Sequence, residues 1–381
     1  MLKTTTYYLA LGSNKGDKFK NLQDAIQAIH EQIGNVLSIS KVYKSPAFGF
    51  ESDDFFNCCL VLQSDLKPQH VLDLLLKIEI DLGRVRTQKS GYEARVIDLD
   101  IVLAEAEIIN TETLQIPHPE MSKRKFVLLP LNDIAPKVMH PVLGKSIAEL
   151  LETCDDASVL EPLKIWLKNP SKAYNFSKYS YIAIEGNIGA GKTSLSTKIA
   201  HDYNAKLILE RFADNPFLPK FYEDGARYAF TLEMSFLADR YQQISEDLSQ
   251  LDLFKDFIVS DYDVFKSLIF SKITLQGDEF NLYRKLFYLM YKELRKPDLY
   301  VYLHQNTEQL QQNIKKRGRD FEQNIANDYL EKINTGYLEF LKTQTEFNVK
   351  IIDVSNRDFV ENRADYLWIL REITSFTKKP V

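Results

Sequence analysis

The feature that most constrains this chain is a glycine-rich stretch at residues 181–193. Residues 181–185 are mostly apolar, as expected of a buried parallel strand. The following residues read G-x-x-x-x-G-K-T, and a helix-prone segment, 194–203, comes next. In this strand–loop–helix context, backbone N–H groups and a lysine face phosphate oxygens while a threonine hydroxyl can ligate magnesium. The pattern predicts a nucleotide-phosphate site made of Gly186, Asn187, Ile188, Gly189, Ala190, Gly191, Lys192 and Thr193.

The position of this loop predicts two domains. Such a loop normally lies near the start of its domain, yet about 180 residues precede it. A chain of 381 residues is also too long for one ordinary domain. Asn169-Pro170-Ser171-Lys172 carries turn signals. We therefore predict a first domain at 1–169, a linker at 170–178 and a second domain at 179–381.

Composition narrows the class of protein. Apolar residues make up 45% and charged residues 27% of the chain, which is typical of a globular protein. The net charge of −5 disfavours nucleic acid or an anionic membrane as a partner. Three cysteines give no disulfide framework and no zinc spacing. The longest apolar runs are too short for a membrane span or signal peptide, so we expect a cytoplasmic protein.

The first domain reads as alternating strands and helices. Apolar spacing predicts strands at residues 5–11, 36–43, 55–63 and 96–103, and helices at residues 19–33 and 68–82. The order β-α-β-β-α-β is that of a ferredoxin-like α+β domain.

Two acidic residues stand out on the fourth predicted strand of this domain. Asp98 and Asp100 share one face, about 7 Å apart along the strand. Two such carboxylates can share a pair of magnesium ions, whereas a solvated strand face is the alternative. Nearby cations favour the metal site, because metal-binding acids ringed by cations suit a polyphosphate ester. These cations are Arg84, Arg86, Arg95, Lys123, Arg124 and Lys125.

At these residues the first domain resembles 6-hydroxymethyl-7,8-dihydropterin pyrophosphokinase. The shared motifs are Leu11-Gly12-Ser13-Asn14, Ser45-Pro46, Phe56-Asn57, Gly83-Arg84-Val85-Arg86, Arg95 with Asp98-Leu99-Asp100, Pro117-His118-Pro119 and residues 126–131. The resemblance implies pyrophosphate transfer from ATP to the pterin hydroxymethyl group, with release of AMP. It implies two magnesium ions on Asp98 and Asp100, catalytic roles for Arg84 and Arg95, and ATP contacts from Glu79, Arg86, His118 and Arg124. The pterin would be bound by Ser45, Pro46, Phe55, Asn57 and Phe126, with the two phenylalanines sandwiching its ring.

One motif departs from that family. Many members carry Trp-Gly-Pro-Arg before the aspartates, whereas this chain has Gly91-Tyr92-Glu93-Ala94-Arg95. Arg95 keeps its place, and Tyr92 is the candidate replacement for the aromatic residue.

The second domain has the pattern of an α/β protein. Strand candidates at residues 181–185, 207–210, 257–261, 299–303 and 349–354 are separated by helical stretches. This alternation predicts a five-stranded parallel sheet covered on both faces. On the longest predicted helix, Glu233 and Arg240 lie two turns apart on one face.

This half resembles a deoxynucleoside kinase of the P-loop superfamily. The resemblance rests on the phosphate loop, Glu210, Asn215-Pro216-Phe217-Leu218, Tyr222, Glu233 with Arg240, Asp261, and Lys316-Arg317-Gly318-Arg319-Asp320-Phe321-Glu322-Gln323. It implies that Glu210 takes the proton from the sugar 5′-hydroxyl, and that Tyr222 and Glu322 hold the 3′-hydroxyl. Arg319 would act in catalysis by stabilising charge on the moving phosphoryl group, and Arg317 would contact ATP. Thr193 would hold one magnesium ion, and Glu233, Arg240 and Asp261 would belong to the nucleoside site. A homodimer through the kinase helices is also implied.

The kinase resemblance has departures as well. After the third strand the family has an acid followed by arginine, whereas this chain has Asp261-Tyr262. Another cation, Arg240 or Lys266, must then position the base, or catalysis is weaker. The position that commonly holds glutamine is Glu233.

We therefore predict a bifunctional enzyme whose substrates are ATP, hydroxymethyldihydropterin and a deoxynucleoside. One alternative is a second domain that only binds nucleotide or dimerises, for which the missing arginine is the support. Another is a kinase for a different nucleoside or a nucleotide. If Glu233 accepts and Arg240 donates, the pair suits adenine or cytosine, and resemblance to purine-preferring members favours deoxyadenosine.

Overall fold

The computed structural model describes residues 4–47, 52–84, 94–211, 215–250, 252–319, 322–323 and 325–376. The chain divides into two compact units, Met1–Ala173 and Tyr174–Val381. The boundary between the units falls inside the predicted linker at 170–178. Within the described residues, every helix is too short or too polar to cross a membrane.

The first unit is built around an antiparallel sheet. Its elements are β1 (Thr5–Ser13), α1 (Lys18–Gln32), β2 (Asn35–Ile39), β3 (Tyr43–Ser45), β4 (Phe55–Ser64), α2 (Pro68–Asp81), β5 (Asp98–Ala104), β6 (Ile109–Asn110), β7 (Gln115–Ile116), α3 (Lys125–Ile134), α4 (Ile147–Glu152) and β8 (Glu161–Pro162). The sheet has the order β5-β1-β4-β3-β8, and β2 also pairs with β4. Strand β1 therefore lies between β5 and β4, with antiparallel register to both.

Helices cover both faces of this sheet. Alternate side chains of β1, including Tyr7, Leu9 and Leu11, pack against the apolar stripes of α1 and α2 in one core cluster. On the other face, α3 and α4 pack through a second cluster that includes Leu128 and Leu131. Helix α1 is capped by Asp17, whose Oδ1 accepts the Lys20 N–H at 3.0 Å.

The second predicted strand, residues 36–43, is two separate strands. Between β2 and β3, the Ser40 N–H still bonds the Cys59 carbonyl of β4, but the Cys59 N–H bonds the Ser40 hydroxyl oxygen instead of a backbone carbonyl. The Lys41 N–H bonds Asp133 Oδ2 at 3.2 Å, and the Tyr43 hydroxyl bonds the same carboxylate at 3.0 Å.

The second unit contains the predicted five-stranded parallel sheet, which is confirmed. Its elements are β9 (Tyr181–Gly186), α5 (Lys192–Asp202), β10 (Lys206–Ile208), α6 (Leu218–Glu223), α7 (Gly225–Ser249), β11 (Ile258–Ser260), α8 (Phe265–Thr274), α9 (Gly277–Tyr291), β12 (Leu299–His304), α10 (Thr307–Arg317), α11 (Asn327–Thr343), β13 (Asn348–Asp353) and α12 (Arg363–Thr374). The strand order is β10-β11-β9-β12-β13, and every pairing is parallel.

The parallel sheet places the carboxyl ends of its strands at one edge. Helices α5, α10 and α12 cover one face, and α8 and α11 pack on the other, with α7 and α9 beside α8. At the shared edge lie the glycine-rich loop after β9, Glu210 after β10 and Asp261 after β11. This is the edge at which open α/β sheets bind ligands.

Candidate active sites

A cavity of about 310 Å³ lies in the first unit and collects most of the residues predicted there. Predicted site residues that line it are Ser45, Pro46, Phe55, Asn57, Glu79, Arg84, Arg95, Asp98, Asp100, His118, Arg124 and Phe126. Residues that the sequence did not assign also line it, among them Ala10, Gly12, Leu72, Leu76 and Val127. Arg86 and Tyr92 lie outside the described residues.

The acidic end of the cavity is held by two arginines. Arg84 Nη1 lies 2.5 Å from Asp98 Oδ1, and Arg95 Nη1 lies 2.6 Å from Asp98 Oδ2. Burial, and then the negative charge of Asp98, raise the pKa of Asp100 to about 7. A carboxyl such as Asp100, whose ionised form is disfavoured beside Asp98, fits a site that binds a cation. Magnesium is commonly held by one or two carboxylates plus substrate phosphates.

Glu79 supports this acidic end from within the protein. Its side chain is buried, and Oε1 accepts the Leu99 N–H at 2.8 Å. The same oxygen accepts a hydrogen bond from Arg84 Nη1. Glu79 therefore links Arg84, which follows α2, to the strand that carries both aspartates.

The Leu-Gly-Ser-Asn motif at the end of β1 fixes Arg95. Asn14 is buried, its N–H donates to the Arg95 carbonyl at 3.1 Å, and its Oδ1 accepts the Arg95 N–H at 2.6 Å. A side chain at Gly12 would meet Asn57, because an added Cβ lies 3.1 Å from Asn57 Oδ1. Asn57 Nδ2 in turn donates to Ser45 Oγ at 2.8 Å. Asn14 thus fixes the backbone of Arg95, and Gly12 leaves room for the Asn57 amide.

His118 and Arg124 form another wall of the cavity. Burial, and then the Arg124 charge, lower the pKa of His118 below its ordinary value, so the ring is neutral near pH 7. His118 Nδ1 accepts the Glu120 N–H at 3.2 Å, which leaves the proton on Nε2. The Arg124 guanidinium lies 5.8 Å from the centre of the Phe126 ring. This wall offers donors beside an aromatic surface.

In the second unit the glycine-rich loop has the predicted strand–loop–helix setting. Lys192 Nζ donates to the carbonyls of Gly186 and Asn187, both at 2.9 Å. Thr193 Oγ1 donates to Asp261 Oδ2 at 2.5 Å. Asp261 Oδ1 accepts the Glu210 N–H at 2.8 Å, so one carboxylate links the loop to the end of β10.

A second cavity, of about 380 Å³, opens beside this loop. It is lined by Gly189, Ala190, Gly191, Lys192, Thr193, Ser194, Gln305, Gln309, Asn313, Lys316, Arg317, Arg319, Arg357, Asp358, Phe359, Val360 and Glu361. Lysines and arginines on one side and loop N–H groups on the other suit the phosphates of a nucleotide. Residues 357–361 follow the last strand, β13, and the sequence analysis did not assign them.

Glu210 lies between two cations, with its side chain 10% exposed. Arg240 Nε is 2.8 Å from Oε1, and Lys266 Nζ is 2.6 Å from Oε2. Burial on its own raises the pKa of this carboxyl, but Lys266 and Arg240 together hold it well below the ordinary value. Both cations that the sequence offered in place of the missing arginine therefore contact the predicted base.

Glu233 and Arg240 do not form an ion pair with each other within 4.0 Å; each has another partner. Glu233 is buried, and its Oε1 lies 2.8 Å from Thr274 Oγ1. Burial raises the pKa of Glu233 to about 7. Arg240 Nη1 donates to Ser267 Oγ at 2.8 Å in addition to its contact with Glu210. Ser267 and Thr274 lie on α8, and no sequence motif pointed to either residue.

The predicted lid residues meet one another. Arg317 Nη2 bonds the Glu322 carboxylate, and Arg319 Nη1 lies 3.3 Å from Glu322 Oε1. Glu322 is buried, so the two arginines are held near one acid at the edge of the second cavity. The side chain of Tyr222 lies outside what the structure describes.

Comparisons with known proteins match each unit separately. The family model "7,8-dihydro-6-hydroxymethylpterin-pyrophosphokinase (HPPK)" matches residues 8–136, and the model "Deoxynucleoside kinase" matches residues 182–378. The 2-amino-4-hydroxy-6-hydroxymethyldihydropteridine pyrophosphokinase of Porphyromonas gingivalis is 40% identical over 137 residues, which are 35% of this chain and 92% of that protein. The deoxyguanosine kinase of Bacillus subtilis is 38% identical over 191 residues, which are 49% of this chain and 92% of that protein.

A solved structure is also similar to the second unit. The deoxyadenosine kinase from M. mycoides with bound dATP is 25% identical, with a TM-score of 0.45, covering 51% of this chain and 98% of that one. The chain belongs to two families: its first unit is a hydroxymethyldihydropterin pyrophosphokinase domain, and its second unit is a deoxynucleoside kinase domain.

Proposed function

We propose that the first unit transfers pyrophosphate from ATP to 6-hydroxymethyl-7,8-dihydropterin. The observation that carries this proposal is the convergence of Asp98, Asp100, Arg84 and Arg95 on one cavity that also contains Phe55, Phe126 and Asn57. The hydroxymethyl oxygen attacks the β-phosphorus of ATP, the bond to the oxygen shared with the α-phosphate breaks, and AMP leaves. The hydroxyl proton passes to solvent.

Two magnesium ions on Asp98 and Asp100 would neutralise phosphate charge and orient the hydroxyl. Arg84 and Arg95 both contact Asp98 and would bind the transferred phosphates. Asn57, oriented by Ser45, would offer a donor and an acceptor to the amide-like edge of the pterin. The aromatic rings of Phe55 and Phe126 would hold the flat ring system. The sheet order β5-β1-β4, with β2 and β3 both on β4, supports a ferredoxin-like arrangement for this unit.

The second unit we assign to phosphorylation of a deoxynucleoside 5′-hydroxyl with ATP. The observation that carries this proposal is an ionised Glu210 beside the phosphate loop, with its side chain 10% exposed and a cation on each oxygen. Such a carboxylate is sited to accept the 5′-hydroxyl proton while the oxygen attacks the γ-phosphorus. The alternative of a module that only binds or dimerises depended on the missing arginine, and Lys266 and Arg240 supply positive charge there.

A purine deoxynucleoside is the proposed substrate, with deoxyguanosine ahead of deoxyadenosine. Arg240 already donates to Glu210 and Ser267, so it is less suited to read a base than the sequence suggested. Glu233, in the ionised form that prevails above its pKa of about 7, then remains as an acceptor, and the guanine edge presents two adjacent donors, N1–H and N2–H. The similarity to a deoxyguanosine kinase supports the same order.

Relative kcat/KM for the four deoxynucleosides and their monophosphates tests this assignment. We expect deoxyguanosine to lead in the wild type, with a tenfold to hundredfold loss of preference in Glu233→Gln, since an unpaired buried donor costs about 1–3 kcal/mol. A pyrimidine as best substrate, or the same preference in Glu233→Gln, would contradict the base assignment. A monophosphate as best substrate would favour the nucleotide-kinase alternative.

A homodimer through the kinase unit is also proposed. Helix α9 exposes Leu282, Tyr288 and Leu289, with side chains 51%, 49% and 72% exposed. Apolar side chains grouped on one helix favour an interface. Light scattering after size exclusion should give twice the chain mass, and a shift towards monomer in Leu289→Glu. A monomeric wild type at assay concentration would contradict the proposal.

A further inference from the structure

Lys266 contacts the predicted base of the kinase unit, Glu210. It lies in the first turn of α8, is only 8% exposed, and approaches Glu210 Oε2 to 2.6 Å. The start of α8 is fixed beneath it, because Asp263 Oδ1 accepts the Phe265 N–H at 2.9 Å. The Asp263 N–H in turn donates to Glu185 Oε1, on the strand that leads into the phosphate loop, at 2.8 Å. The position of Lys266 is therefore set by the same strand that sets the loop.

The two cations on Glu210 differ in how they are held. Arg240 joins Glu210 to Ser267 through Nε and Nη1, and its guanidinium lies 4.7 Å from the centre of the Phe236 ring. It therefore ties the carboxylate to helix α8. Within the part of the chain that the structure describes, the Lys266 ammonium has Glu210 as its one hydrogen-bond partner. An ammonium has three N–H donors, so two remain for a ligand beside Glu210.

The phosphate-loop lysine and Lys266 lie at the two ends of the proposed reaction path. Lys192 is held at the loop, where it donates to the carbonyls of Gly186 and Asn187 at 2.9 Å, and Lys266 lies 2.6 Å from the predicted base. The phosphoryl group is transferred between the loop that binds ATP and the hydroxyl beside that base. A transferred phosphoryl group carries negative charge on its equatorial oxygens, and pre-placed cations stabilise that charge.

We propose that Lys266 is a catalytic residue of the kinase unit, which holds Glu210 in place and donates to the transferred phosphoryl group, while Arg240 is a positioning residue for Glu210. The inference rests on the proposed function of this unit. In the step, Glu210 takes the 5′-hydroxyl proton and the freed oxygen bonds the γ-phosphorus. The bond from that phosphorus to the β-γ bridging oxygen breaks, and ADP leaves. Lys266 keeps all its protons throughout.

The assignment predicts how the kinase activity depends on pH. The charged groups that face Glu210 are Lys266 from α8, Arg240 from α7, Lys192 from the phosphate loop, Glu185 from β9 and Asp261 after β11. Loss of Lys266 removes the cation that most favours the ionised carboxylate. The pKa of Glu210 then rises, so the acid limb of kcat/KM moves to higher pH.

The test compares Lys266→Met and Lys266→Arg with the wild-type full-length chain. A matched control is Lys272→Met on the same helix, whose ammonium pairs with Glu339 at the surface with both side chains about 60% exposed. We expect kcat of Lys266→Met to fall about 10²–10³-fold with little change in the KM for ATP. An acid limb should enter the range of pH 5–7, Lys266→Arg should recover part of the rate, and Lys272→Met should match the wild type.

Two outcomes separate this inference from the proposed function. A wild-type chain that phosphorylates no deoxynucleoside overturns the proposed function, and this inference with it. An active wild type with Lys266→Met within about threefold of its kcat and with the same pH profile overturns this inference alone. If Lys266→Met does not fold, as shown by its thermal transition, Lys266→Gln replaces it under the same criteria. The pyrophosphokinase turnover of each preparation reports the amount of intact chain.

Discussion

The ring of Phe359 lies directly against Gly191 of the phosphate loop. A Cβ added to Gly191 would stand 2.6 Å from Phe359 Cζ, and the glycine has φ of +83°. Gly191 is also the N-cap of α5, immediately before Lys192 and Thr193. The segment after β13 thus packs on the turn that aims the loop at phosphate, and both sterics and backbone conformation require glycine there.

Gly191→Ala should therefore abolish nucleotide binding by the kinase unit. The substitution strains the left-handed turn and displaces Phe359, so the loop N–H groups no longer point towards the phosphate. Titration calorimetry with ATP should show at least about a hundredfold weaker binding at the second unit. Gly277→Ala is the control, since an added Cβ there meets nothing within 4 Å. Equal ATP affinity in Gly191→Ala and wild type would contradict the role of this turn.

The raised pKa of Glu233 predicts that the stability of the folded chain depends on pH. Its folded-state pKa, raised by burial from 4.5 to about 7, makes the folded chain hold a proton that the unfolded chain releases. Stability therefore falls as pH rises from about 4.5 to 7, by roughly 3 kcal/mol at most. The hydrogen bonding agrees, because Thr274 Oγ1 has one proton yet lies near both Glu233 Oε1 and the Phe270 carbonyl.

Melting temperatures of wild type and Glu233→Gln at pH 5.0 and 7.5 measure this effect. The neutral amide does not titrate, so the variant should gain stability relative to wild type as pH rises. Glu185 and Asp263, whose pKa values burial also raises, are present in both chains and cancel in the difference. A difference in melting temperature that is the same at both pH values would show that Glu233 stays charged.

Division of the chain between Ala173 and Tyr174 should yield two folded fragments. On the first side, Ser171 Oγ donates to the Val36 carbonyl at 2.9 Å. On the second, the Phe176 ring stacks on Phe257 with centroids 5.3 Å apart. Each fragment keeps its own core clusters, so each should retain its own activity. Two insoluble fragments from a soluble parent would contradict independent folding.

Local patterns allowed much of the fold and of both sites to be predicted. Apolar spacing indicated the parallel sheet, the G-x-x-x-x-G-K-T motif indicated the loop after β9, and the two aspartates two residues apart on β5 indicated the first cavity. The position of Glu210 followed from the end of a strand. In each case the signal lies within a few residues of one element or motif.

Local patterns could not predict contacts between segments that are distant in the sequence. Glu210 meets Arg240 and Lys266 from 30 and 56 residues away, and the sequence could name these cations without choosing between them. Asn14 binds the Arg95 backbone across 81 residues. Residues 357–361 could have been suspected, because they follow the last parallel strand at the ligand-binding edge. Side-chain partners such as Thr274 and Ser267 have no comparable signal.

The central claim is that one chain carries two independent phosphoryl-transfer sites. Its most direct test measures AMP release with hydroxymethyldihydropterin and deoxynucleoside monophosphate formation in the same preparations of wild type, Asp98→Asn and Glu210→Gln. We expect Asp98→Asn to lose the first activity by at least about 10²-fold and keep the second, and Glu210→Gln to lose the second by about 10²–10⁴-fold and keep the first. A variant that loses both activities while folded, or neither, would contradict the account.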